Sequence, residues 1–201
     1  MFRFPPIAEL LLSLPAILWA ITFHEFCHGY VAYLLGDPTA ERAGRLSLNP
    51  LAHLDPIGAL MLLFFRFGWA KPVPIDPRYF KNPRRDIVLV SLAGAAGNLA
   101  SAMFCGLLVR LFPYFFLGNP ALRLFMFLMV AINVGLAVFN LIPIPPLDGS
   151  KILYYFLPPR WIEKYFWLER YGFIILMVLL GLGIIPAIMS PISYAIIRWI
   201  L

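Results

Sequence analysis

Two histidines four residues apart, His24 and His28, bracket Glu25 inside an almost uniformly apolar run from Leu10 to Leu35. On a helix, such positions stand one above the other, so both imidazoles share a face and can grip one Zn²⁺. Glu25 lies beside them, where a carboxylate can act as general base toward a water attacking an amide carbonyl. A carboxylate and two imidazoles are costly to place in a membrane-length apolar segment, and such groups mark functional sites. The competing reading is a buried polar network. A second cluster closes a later apolar run, Pro143-Ile144-Pro145-Pro146-Leu147-Asp148-Gly149. Prolines so spaced cannot continue a helix, so the chain must unwind there and offer Asp148 as a third ligand, leaving a fourth position for water. The alternative for Asp148 is a cap on a helix starting near Ser150. Gly149 is expected to supply a backbone shape that a side chain forbids.

The elements that must position these groups are membrane spans. Of 201 residues, 62% are apolar and 13% charged, with a mean hydropathy of +0.84. A typical soluble domain carries roughly 25% charge, so the excess apolar side chains must face lipid. Cys27 and Cys105 both fall in apolar segments and form no disulfide framework. The net charge of +6 comes from basic residues gathered between the apolar runs, a pattern of topology, and no nucleic-acid motif accompanies it.

The pattern predicts an all-α polytopic membrane protein, residues 1–201 forming one unit of about four transmembrane helices. The first runs over about 7–35, opened by Pro5 and Pro6. At about 1.5 Å per residue it reaches about 43 Å, longer than an apolar slab of roughly 30 Å. It lacks a clean signal-peptide cleavage site and is read as retained. Pro15 should bend its outer half, and Gly36-Asp37-Pro38 stops it. A β segment and cytosolic loop follow over 41–86. Within it, Arg45, Leu46, Ser47 and Leu48 alternate and Asn49-Pro50 turns, so a short extended ribbon is expected. Ile57 to Phe65 is too short to cross and suits a re-entrant or interfacial helix. The second span covers about 87–111. Its small residues, including Gly94 and Gly97, should let it pack directly on the histidine helix. Asn98 among them is either an interhelical hydrogen bond or an amide lining the site. A third span covers about 121–142, with Asn133 and Asn140 on one face and 143–149 unwound. An amphipathic interfacial segment spans 151–170, and a fourth crossing about 171–189.

Eight basic residues lie between Glu41 and Asp86, namely Arg42, Arg45, Arg66, Lys71, Arg78, Lys81, Arg84 and Arg85. Four more follow Asp148 by Arg170, whereas the opposite side holds Arg3, Arg110, Arg123 and Arg198. The positive-inside rule puts the loop in the cytosol. The first and third spans then both run inward, bringing His24, His28 and Asp148 to one depth on one side. His53, beyond the ribbon, is read as a structural hydrogen-bonding group.

Four patches together resemble the site-2 protease family of intramembrane zinc metalloproteases, specifically its small bacterial and archaeal group without PDZ-like or nucleotide-sensing domains. They are His24-Glu25-x-x-His28, the run from Gly44 to Gly58, Gly68-Trp69-Ala70-Lys71-Pro72-Val73-Pro74 leading on to Gly94-x-x-x-Asn98, and Asn140-x-x-Pro143-x-Pro145-Pro146-Leu147-Asp148-Gly149. The family often carries Gly-Pro ahead of the asparagine matching Asn98, where this chain reads Gly94-Ala95-Ala96-Gly97. The resemblance implies one zinc per chain on His24, His28 and Asp148, with Glu25 activating water. It also implies that Asn140 engages substrate backbone, that Asn98 lines the same region, and that Arg45 to Leu48 form a membrane-dipping β edge that pairs with an unwound substrate strand. The expected substrates are transmembrane proteins or membrane-bound peptides, cut within or near their spanning segments in a bacterial or archaeal plasma membrane. No subunit number follows from the pattern. The rivals are a transporter and a non-proteolytic metal-binding membrane protein. A transporter would carry inverted repeats and paired broken helices, and an intact Glu25 argues against a non-proteolytic relative that merely binds membrane helices.

Overall fold

Three stretches are long and apolar enough to cross a bilayer, and a bent helix pair adds a fourth if it counts as one span. The computed structural model describes residues 7–65 and 70–201. Arg3, Pro5, Pro6, Arg66, Gly68 and Trp69, which entered the sequence reading, lie outside the described residues.

The histidine helix α1 (Ile7–Leu34) continues through Pro15. It ends where Gly36 turns left-handed at φ 104° and Asp37 takes over. The buried Asp37 carboxylate accepts the N–H groups of Thr39 and, at 2.7 Å, of Asp76. It thereby ties the end of α1 to a loop that returns much later in sequence. Short helices α2 (Thr39–Arg42) and α3 (Pro56–Phe65) occupy the loop. α3 is opened by Asp55, whose carboxylate accepts from Gly58 N–H, and at ten residues it is too short to cross.

The second span is α4 (Pro83–Leu111), which begins a turn earlier than the apolar pattern implied because Pro83 can occupy the first helical position. A short α5 (Pro113–Leu117) leads into α6 (Pro120–Asn140), capped by Asn119 accepting from Ala121 and Leu122. α1, α4 and α6 pack on one another. The buried core between α4 and α6 holds Ala102, Cys105, Met126, Val130, Val134 and Val138, and Ile200 closes it. Both cysteines are free.

After α6 the chain unwinds over the proline turn, in which the Pro145–Pro146 peptide is cis. It re-forms as α7 (Asp148–Phe156), followed by α8 (Pro159–Gly181) and α9 (Ile184–Ile200). Two expectations need correction here. The crossing expected over 171–189 is not one helix: α8 runs through residue 170 without a break and ends at Gly181. A change from amphipathic to apolar sequence does not interrupt a hydrogen-bond ladder, and the breaks fall where Pro158 and the left-handed Gly183 (φ 75°) stand. α9 is then a separate helix bent 74° from α8. The ribbon over Arg45 to Leu48 is irregular chain, and among the described residues there is no strand. A strand needs a partner, and the loop's ladder-like pairing is an isolated bridge between Leu54 and Ala70.

Gly149 is required for a different reason from the one expected. It sits inside α7, outside the left-handed region. A Cβ there would drive into the carbonyl oxygens of Leu141 and Ile142. The proline turn therefore folds back tightly enough to press Gly149 against the end of α6. We predict that Gly149→Ala lowers thermal stability in detergent by about 1–3 kcal/mol through overpacking. Gly135→Ala in α6, where a Cβ meets nothing within 4 Å, should instead be neutral or gain about 0.5–1 kcal/mol. Thermal unfolding of the two purified variants checks the contrast.

Candidate metal centre

His24 and His28 project from the C-terminal half of α1 and Asp148 from the first turn of α7, 124 residues after His24. All three are buried. His28 Nε2 lies 2.9 Å from His24 Nε2 and 2.9 Å from Asp148 Oδ2, and His24 Nε2 lies 3.2 Å from the same oxygen. Asp148 has Leu147 as its helix N-cap and makes no cap bond itself. Its carboxylate faces the imidazoles.

The donor chemistry decides whether a metal fits. His28 Nδ1 is 2.6 Å from the Val90 carbonyl, which can only accept, so Nδ1 carries the proton. The Asn98 amide nitrogen donates to the Ala20 carbonyl and to Asn133 Oδ1, both at 2.9 Å. That orientation turns Asn98 Oδ1 toward His24 Nδ1 at 2.7 Å and protonates that nitrogen too. Both Nε2 atoms of the neutral rings therefore present lone pairs to each other and to a carboxylate oxygen. Three acceptors this close repel unless a cation sits among them. A tetrahedral zinc with bonds of about 2.0 Å holds its ligands about 3.3 Å apart, close to the spacing seen. The residues fit the ion, and each histidine carries the oriented hydrogen bond that metal-binding imidazoles need.

Burial alone would favour the neutral, protonated form of Asp148. The ammonium of Lys151 beside it favours the charged carboxylate instead. Lys151 Nζ, 3.2 Å from Asp148 Oδ1, engages the oxygen that the histidines leave free. The close approach depends on Gly94 in α4. A Cβ there would lie 2.5 Å from His28 Nε2 and 2.6 Å from His24 Cε1.

Glu25 is half-buried on α1, and its Oε2 accepts the Val73 N–H at 2.9 Å. That amide is held in turn by Arg45. The buried guanidinium donates to the Lys71 carbonyl at 2.5 Å and the Pro72 carbonyl at 3.3 Å. His53, also buried, points Nε2 at the Ser47 carbonyl at 2.7 Å, while its own carbonyl accepts Lys71 N–H. Arg45 is thus turned inward and braces the Glu25 loop. Leu46 packs over Gly29, next to His28. The hydrogen bonds around the ligands include Asn98 but not Asn140, whose amide donates to the Leu136 carbonyl of its own helix. Sequence reasoning missed Asn133 as the residue that locks Asn98. The available signal was its place on the Asn140 face of α6.

A buried His-Glu-x-x-His helix completed by a carboxylate, among membrane-length helices, defines a membrane-embedded metalloprotease. The model of "Peptidase family M50" matches residues 116–179. The chain is 41% identical to "Putative zinc metalloprotease YwhC" of Bacillus subtilis over 89% of its own length and 84% of that protein. It is 33% identical to a Rip2 protein of the same description from Mycolicibacterium smegmatis, over 81% of this chain and 64% of the relative. No solved structure matches. The chain belongs to peptidase family M50, the site-2 protease family, and is a multi-pass zinc metalloprotease.

The hydrogen bonds behind the ligands give a graded prediction. Asn98→Ala should weaken zinc binding about 10–100-fold, and Asn133→Ala should weaken it less, because Ala20 still orients Asn98. Gly94→Ala should leave no measurable zinc. Chelator competition with the purified variants reads all three.

Proposed function

We propose that this chain is a zinc-dependent intramembrane endopeptidase that cuts peptide bonds within or near the transmembrane segments of other membrane proteins. The observation that carries the reading is the convergence of His24, His28 and Asp148, with Glu25 one residue from the first ligand. In it His24, His28 and Asp148 hold one zinc per chain. Bound there, the ion supplies a Lewis acid that acidifies water and polarises a carbonyl. Glu25 takes the proton of the attacking water and passes it to the leaving amine. The Val73 N–H keeps the Glu25 carboxylate oriented for both transfers. Asn98 acts on His24 from behind, and Asn140 lies one turn before the unwound segment, where its amide can turn from Leu136 toward substrate backbone.

A helical substrate hides its amides in its own hydrogen bonds and must unwind before it can be cut. Leu46 and Leu48 make no backbone hydrogen bonds to other described residues. In this proposal the stretch Arg45 to Leu48 becomes a strand only when an extended substrate pairs with it, by β-augmentation. The surplus of basic residues in the 41–86 loop supports a cytosolic face for the site, in a multi-pass cell-membrane protein.

Glu25→Gln should retain zinc and lose cleavage of a reconstituted membrane-embedded substrate by at least about 100-fold, the lower range of a positioned general base. Asp148→Asn should lose both zinc and activity. Full turnover by the chelated wild-type protein would rule out the zinc mechanism. Arg45→Ala should lower kcat with zinc content unchanged; a loss of zinc instead would place Arg45 with the ligands.

A further inference from the structure

Beside the metal centre lies a cleft of about 520 Å³ whose walls include Val73, Ile87, Val90, Tyr154, Tyr165 and Phe166. Lys151 and Glu169 also line it, and neither pairs with the other. Three of its lining residues hold the reactive groups from behind. The Val73 N–H holds Glu25, the Val90 carbonyl orients His28, and Lys151 engages Asp148. We propose that this cleft is the specificity pocket of the protease, receiving one bulky apolar side chain of the unwound substrate beside the cut bond. The inference rests on the proteolytic reading above and assigns its substrate preference.

The occupant follows from chemistry and size. Ligand pockets run from about 300 to 1,000 Å³, whereas one water takes up about 30 Å³, so the cleft is far larger than a solvent path requires. Its walls come from α4, from the loop that holds Glu25, and from α7 and α8, and they are mainly aliphatic and aromatic. A Leu, Met or Phe pulled from lipid when the substrate unwinds would otherwise meet water, and here it meets another apolar surface. Lys151 and Glu169 offer the adjoining substrate backbone a donor and an acceptor. Each of the three anchors on the cleft wall touches one reactive group, so a side chain seated here lies one residue away from Glu25, His28 and Asp148.

Photo-crosslinking tests this without turnover. Membrane-segment peptides carrying benzoylphenylalanine at successive positions are bound to zinc-loaded Glu25→Gln protein in lipid nanodiscs. One position should label fragments containing Ile87, Tyr154 or Phe166, and excess peptide with Phe at that position should compete where the Ala peptide does not. Labelling elsewhere, or labelling that no peptide displaces because lipid fills the cleft, overturns the proposal. In the active protein, wild type should prefer the Phe over the Ala substrate by at least about tenfold in kcat/KM. Ile87→Trp, which fills the cleft, should erase that preference with zinc retained, and Phe166→Ala, an exposed wall position, should weaken it. Equal losses on both substrates would make the cleft a water route and sink the idea. Absence of any zinc-dependent cleavage would count against the proteolytic reading alone, since the crosslinks still report the pocket.

Discussion

Three electron pairs face one another across about the width of one ion, and none of them has a proton to share. That constraint governs the architecture. The rings of His24 and His28 could relieve it by changing tautomer, but the Val90 carbonyl and the Asn98 amide oxygen, behind the two rings, each accept a hydrogen bond from Nδ1–H. The positions of α4 and α6 relative to α1 are set by the same bonds, since Asn98 is pinned by Ala20 of α1 and by Asn133 of α6. Unpaired polar groups are expensive among apolar helices. Here His24, His28 and Asn98 are each answered by a residue from another helix, so the arrangement that orients the two imidazoles also specifies how the three spans pack.

Much of this could be read before any coordinates. Spacing placed His24 and His28 on one face, and the prolines after α6 forced an unwound segment that delivers Asp148 to the same depth. The small residues of α4 announced close packing, and it occurs at Gly94 and Gly97. What escaped was long-range and specific. Asn133 looked like one more polar residue on a helix face, and only the fold reveals that Asn98 needs two acceptors to hold its orientation. Arg45 belonged to an alternating run, and alternation speaks of extended chain without saying where a side chain turns. The unbroken helix through residue 170 has a similar origin: the sequence changes from amphipathic to apolar there, but backbone hydrogen bonding does not.

The loop between α1 and α4 illustrates how irregular backbone can be made rigid without a sheet. Asp37 fastens one end by accepting the Asp76 N–H, Arg45 and His53 brace Lys71, and Val73 hands the result to Glu25. Buried charge is spent here on carbonyls and amides of the main chain that a segment without a sheet leaves unpaired. Glu25 is thereby held through Val73 by residues from well beyond its own helix, Arg45 and His53 among them.

The two histidines are not equally exposed to evolutionary drift. His24 leans on an amide side chain, which a single codon change can alter or retune. His28 leans on a main-chain oxygen of α4, and no substitution at position 90 short of moving the helix deletes a peptide carbonyl. One half of the centre can therefore be adjusted gradually, while the other yields only to a sliding of α4 against α1.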